Sequence, residues 1–107
     1  MAIREVGVDE LETHLAAGGR LFDVRETDEY VDGHVPGAVH VALGTVPDHV
    51  DRFRGDGPLL LICRSGARSL RACEFLEQHG IDAINVAGGT MAWITTGRPV
   101  ATGNTPS

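Results

Sequence analysis

Cys63-Arg64-Ser65-Gly66-Ala67-Arg68 places a nucleophile, two guanidinium groups and a small, pliable Ser-Gly pair within six residues. The apolar run Pro58 to Cys63 leads into it, and a helical pattern from Arg68 to His79 follows. The first amides of such a helix lack partners and point back at the loop. They carry about half an elementary charge, which favours an anion there. Ser65 and Gly66 suit a cradle of backbone N–H groups. A thiol in that field ionises readily, its pKa falling from ~8.5 to roughly 3.5–7.5 in comparable settings. The spacing therefore predicts Cys63 as a nucleophilic thiolate beside an anion-binding nest, with Arg64 and Arg68 as cationic anchors. Taken singly, a Cys at the end of an apolar strand is a small buried hydrophobe, and arginines at a helix start are solvated. Their joint placement favours the functional reading.

The elements that must hold this loop alternate along the chain. Val8 to Ala17 has helical spacing, with acids in its first turn and Gly18-Gly19 at its end. Leu21 to Val24 is a short strand, Thr27 to Val31 a helical turn, and Ala38 to Ala42 a second short strand. Val46 to Phe53 reads as a short helix. Pro58 to Cys63 is apolar throughout, as in a central strand covered on both faces. Ala72, Cys73 and Leu76 share one face of the next helix, which Gly80 ends. Ala83 to Val86 is a further strand, and Gly88-Gly89 leads to a helix around Met91 to Ile94. Strands separated by helices indicate an α/β fold with a mostly parallel sheet and helices on both faces. Ligands in such folds sit beyond the carboxyl ends of the strands. The domain is expected over residues 1–100. Residues 101–107 have nothing to bury and are expected to form a flexible tail.

Other candidates have supporting parts. Asp23 and Arg25 lie at a strand's carboxyl end and are expected to form an ion pair or loop-fixing hydrogen bonds. His34 lies in a turn with Pro36 and Gly37 and is expected to be a structural hydrogen-bonder. His14, His40, His49 and His79 show no ligand spacing, so neither a metal site nor another cofactor is expected. Cys73, Tyr30 and Trp93 are read as packing residues, with a resolving-thiol role for Cys73 the minor alternative.

Charge narrows the partners. The chain has 107 residues, one domain by size, and a net charge of −6, and every basic residue is Arg. An acidic chain without a basic run excludes nucleic acid and anionic membranes as partners. Residues 1–57 carry five Arg and twelve acids, whereas residues 58–107 carry four Arg and three acids. Local donors therefore set the potential near Cys63, while distant acids are screened beyond a Debye length of ~8 Å. The N-terminus lacks an apolar run and no stretch is long enough to span a bilayer, so a cytoplasmic protein with reduced thiols is expected.

The loop resembles the active-site loop of the rhodanese (sulfurtransferase) family, of the form Cys-Arg-Ser-Gly-x-Arg. Four further segments resemble that family in order. They are Leu21 to Glu26 (Asp-x-Arg), Glu29-Tyr30 with Gly33-His34-Val35-Pro36-Gly37-Ala38, Gly88-Gly89 with Ala92-Trp93, and Arg98-Pro99-Val100. The resemblance covers roughly Arg4 to Val100. It implies a rhodanese-like domain with a central five-stranded sheet. Cys63 would carry sulfur as a persulfide, taken from a small anionic donor such as thiosulfate. Cyanide or a thiol, on a small molecule or a protein partner, would accept it. Arg64, Ser65, Gly66, Ala67 and Arg68 would bind the substrate. Larger family members place a substrate-binding Arg where this chain has Glu29, so that role does not carry over. A persulfide relay with little small-molecule turnover is the alternative. A phosphatase or arsenate reductase-like enzyme is less favoured. Loops for that chemistry hold one more residue between Cys and Arg, and here four residues separate Cys63 from Arg68.

Overall fold

The computed structural model describes residues 3–107. The elements run β1 (Glu5–Val6), α1 (Val8–Ala16), β2 (Arg20–Asp23), α2 (Thr27–Asp32), β3 (Val39–His40), a 3-10 segment (Leu43–Phe53), β4 (Leu59–Ile62), α3 (Ala67–Gln78), β5 (Ile84–Val86) and α4 (Gly89–Thr95). The five strands form one sheet in the order β1-β5-β4-β2-β3, and every pairing is parallel. Parallel neighbours need crossovers, which the helices supply on both faces.

The central strand explains its own composition. Leu59, Leu61 and Cys63 face one layer, with Phe22, Phe53 and the α3 residues Ala72, Cys73 and Leu76. Leu60 and Ile62 face the other, with Leu11 of α1, Tyr30 of α2 and Trp93 of α4. All four β4 side chains are buried. Full burial of such a side chain stabilises by about 1.5–3 kcal/mol, so two-sided burial selects apolar residues at every position.

Three features depart from the sequence reading. β1 is a two-residue edge strand, Glu5 paired with Asn85 and Val6 with Val86. It is too short to show a period, and one of its two residues is charged. The segment read as a helix from Val46 starts earlier, at Leu43, and is of 3-10 type with a break at His49 (φ −129°, ψ 25°). Pro47 within it removes a donor, which disfavours a continuous α-helix. Residues 101–107 are tied down rather than left without partners. Ala101 and His34 exchange backbone hydrogen bonds, Gly103 N–H donates to the Val31 carbonyl, and Gly37 N–H donates to the Pro106 carbonyl. This segment binds through main-chain groups, which side-chain composition does not reveal. No helix among the described residues is long and apolar enough to cross a membrane.

Candidate active site

Register brings the site together. Asp23 of β2 pairs with Ile62 of β4, so the carboxyl ends of these strands are level. β5 lies on the other side of β4 and leads into Gly88-Gly89. The loop between β4 and α3 turns at Gly66, the N-cap of α3, with φ +107° and ψ −14°. A side chain there would be strained. Gly89 (φ +60°) is required for space as well. A Cβ on it would lie 2.5 Å from the carbonyl oxygens of both Cys63 and Arg64. That approach lets Thr90 N–H donate to the Cys63 carbonyl (2.8 Å) and Met91 N–H to the Arg64 carbonyl (3.0 Å). The start of α4 thus clamps the loop by its carbonyls and leaves loop amides for the sulfur.

The Cys63 side chain is buried with 1% exposure. Gly66 N–H donates to Sγ at 3.1 Å, and the Ser69 hydroxyl lies 3.3 Å from it in donor geometry. Burial pushes the thiol up. The Ser69 hydroxyl and the amides of Ser69, Gly66 and Ser65 pull it down further, so Cys63 ionises below the ordinary thiol range. Oriented dipoles, rather than a general base, stabilise the thiolate. Cys73 is different. Burial, together with Glu5, Glu74 and Cys63, pushes its thiol up to about 12. Both cysteines are free, and Cys73 packs in the core as a neutral thiol.

The two loop arginines have separate positions. Arg64 is exposed, lines a cleft of about 440 Å³, and has no side-chain hydrogen bond or ion pair among the described residues. Arg68 instead makes a two-pronged ion pair with Glu29, 2.7 Å from Nη1 to Oε1 and 2.9 Å from Nη2 to Oε2. The Arg68 fork is thus engaged by Glu29, whereas that of Arg64 faces the cleft. The Arg68 hydrogen bonds hold the Glu29 carboxyl at about 2 against the burial that opposes them. Ser65 and Ala67 are exposed, and Ala67 begins α3.

Around the loop, Asp23 and Arg25 form a buried ion pair. Arg25 Nε and Nη2 donate to the Asp23 carboxylate at 2.8–3.1 Å, and Nη2 also donates to the Gly33 carbonyl at 2.7 Å. The pair ties the end of β2 to the α2–β3 loop. Removing one partner of a buried pair costs about 3–5 kcal/mol. His34 stacks on Tyr30, with centroids 3.7 Å apart. Its ring nitrogens lie 2.7 Å from the Tyr30 carbonyl and 2.8 Å from the Thr105 carbonyl. These partners belong to α2 and the C-terminal segment, not to the loop. Trp93 donates to the Pro99 carbonyl and packs in the core.

Sequence reasoning missed Ser69, Asn85 and Glu5. Asn85 Nδ2 donates to Glu5 Oε2 (2.7 Å) and to the Gly66 carbonyl (3.0 Å), and its Oδ1 lies 2.5 Å from the Ser69 hydroxyl. The signal was a polar residue inside the short strand Ile84–Val86, since buried polar groups need partners.

Comparison with known proteins follows the same lines. The model of the rhodanese-like domain matches residues 7–96. A Bacillus subtilis protein named "Putative sulfurtransferase YtwF" is 38% identical over 95 residues, covering 87% of this chain and 92% of its own. A "Sulfurtransferase" of Allochromatium vinosum is 35% identical over 81 residues, covering 75% of this chain and 76% of its own. The crystal structure of a rhodanese-related protein from Thermoplasma volcanium superposes with a TM-score of 0.86 at 29% identity, covering 94% of this chain and 99% of that one. A chain with this sheet and this cysteine loop, matched over nearly its whole length, belongs to the rhodanese-like domain family.

Proposed function

We propose that this protein is a sulfurtransferase in which Cys63 takes a sulfane sulfur from a small anionic donor such as thiosulfate and passes it to cyanide or a thiol. The observation that carries the reading is the Cys63 thiol held under the Gly66 amide and the Ser69 hydroxyl. The names of the relatives support sulfur transfer as the chemistry.

The Cys63 thiolate attacks the outer sulfur of thiosulfate. A new S–S bond forms, the donor's S–S bond breaks, and sulfite leaves with the electron pair. The acceptor then attacks the outer sulfur, and Cys63 leaves as a thiolate. In the loaded state the negative charge sits on the outer sulfur, where fixed amide dipoles can stabilise it without rearranging. Arg64 is the substrate anchor, because its guanidinium has no partner among the described residues and lines the cleft. Arg68, held by Glu29, positions the loop. That pairing also disfavours phosphoryl chemistry, since the second guanidinium is not open to oxyanions. Asp23, Arg25 and His34 act by holding the surrounding loops.

The test is thiocyanate formation from thiosulfate and cyanide. Parallel double-reciprocal plots are expected, as for a covalent intermediate, together with complete loss in Cys63→Ser. Normal turnover by the serine variant would contradict the assignment.

A further inference from the structure

The Ser69 hydroxyl has one proton and three acceptors within reach. These are Cys63 Sγ at 3.3 Å, the Gly66 carbonyl at 3.4 Å and Asn85 Oδ1 at 2.5 Å. The orientation of Asn85 is decided by its other partners. The Glu5 carboxylate and the Gly66 carbonyl accept only, so both must face the Asn85 amide nitrogen. The Asn85 oxygen is therefore turned towards Ser69, which must donate to it to satisfy it. Ser69 and Asn85 are both fully buried, so no solvent can relieve the competition.

We propose that Asn85 is a positioning residue for sulfur transfer, the alternative acceptor of the Ser69 O–H hydrogen bond whenever Cys63 does not carry the charge. When Cys63 is a thiolate, the hydroxyl turns to Sγ and the Asn85 oxygen is left without a donor. When Cys63 holds a second sulfur, the charge moves to the outer atom and the hydroxyl turns back to Asn85. The bare thiolate is thereby kept less comfortable, and more nucleophilic, than the amides and an uncontested Ser69 hydroxyl would make it. This step builds on the role proposed for Cys63. The other groups able to bias that charge are Arg68 and Cys73 on α3, Arg64 in the loop, Glu5 through Asn85, and the Asp23–Arg25 pair at the end of β2.

The test is the pH dependence of Cys63 alkylation by iodoacetamide, read by peptide mass spectrometry to separate it from Cys73. Asn85→Leu frees the Ser69 proton for the sulfur, so the midpoint should move to lower pH by about half a unit or more. In a Ser69→Ala background the same substitution should have no effect. An unchanged or higher midpoint in Asn85→Leu, or an equal shift without Ser69, overturns the proposal. A second readout needs no change at Asn85. The side-chain amide resonances of Asn85 should move as Cys63 ionises in the wild type, and stay still in Ser69→Ala. Static resonances in the wild type also overturn it. Neither readout involves a sulfur donor, so failure of sulfur transfer itself would be seen separately.

Discussion

Arg68 and Glu29 face one another fork to fork, with two parallel hydrogen bonds of 2.7 and 2.9 Å. The pair joins α3 to α2 just after the Cys63 loop. Glu29 also accepts from the Glu26 N–H as the return half of a capping box, so one carboxylate fixes both a helix start and the loop arginine. This geometry predicts an acid-labile contribution to stability. The carboxyl is lowered from 4.5 to about 2, so its contribution is fully present above 4.5 and is lost as pH falls through about 2. Glu29→Gln should cost about 1–2 kcal/mol at neutral pH, with a difference from wild type that shrinks on acidification. Urea unfolding of both proteins across that range checks it; equal stability at neutral pH would show that the pair contributes nothing.

Arg64 should behave differently from Arg68. Its guanidinium is exposed and has no partner among the described residues, so Arg64→Ala should leave the melting temperature unchanged and raise the KM for thiosulfate about tenfold. Arg68→Ala should lower the melting temperature, because it strands Glu29. Steady-state kinetics beside thermal melts of both variants separates the two roles. A KM effect confined to Arg68→Ala would reverse the assignment.

The two arginines also mark how much of the site could be read along the chain. Cys63 was legible because β4, buried on both faces, must be apolar, and α3 has a clear period. A cysteine between them lies beyond a central strand by necessity. The partner of Arg68 was not legible, because Glu29 is 39 residues away and reaches it only through the α2 packing. The Glu5–Asn85–Ser69 chain was hidden for a similar reason. β1 has only two residues, and its pairing with β5 is what brings Glu5 to Asn85. The contacts of the C-terminal segment are not legible in the sequence, because carbonyls and amides make them, which any sequence supplies.

Gly89→Ala should be among the most damaging single substitutions. The added methyl carbon would enter the Cys63 and Arg64 carbonyls, and the backbone lies at φ +60°. A loss above ~2 kcal/mol is expected, with loss of activity, because the clamp on the loop must move. Gly103→Ala is the control, since its φ is +95° but the space beside it is open. It should show only the dihedral cost, about 1–2 kcal/mol. Chemical denaturation of both variants reads the difference.

Deleting residues 102–107 should lower stability by about 1–2 kcal/mol. It removes the Thr105 carbonyl from His34, the Pro106 carbonyl from Gly37 N–H and the Gly103 amide from the Val31 carbonyl. A truncated protein that melts with the full chain would show that these bonds merely replace water.

The central claim is that Cys63 carries sulfur, and intact-protein mass spectrometry tests it most directly. After thiosulfate treatment the protein should gain the mass of one sulfur atom, located on the Cys63 peptide and removed by cyanide. Cys63→Ser should gain nothing. No mass gain from thiosulfate or from an organic persulfide, or a gain located on Cys73, would contradict the account.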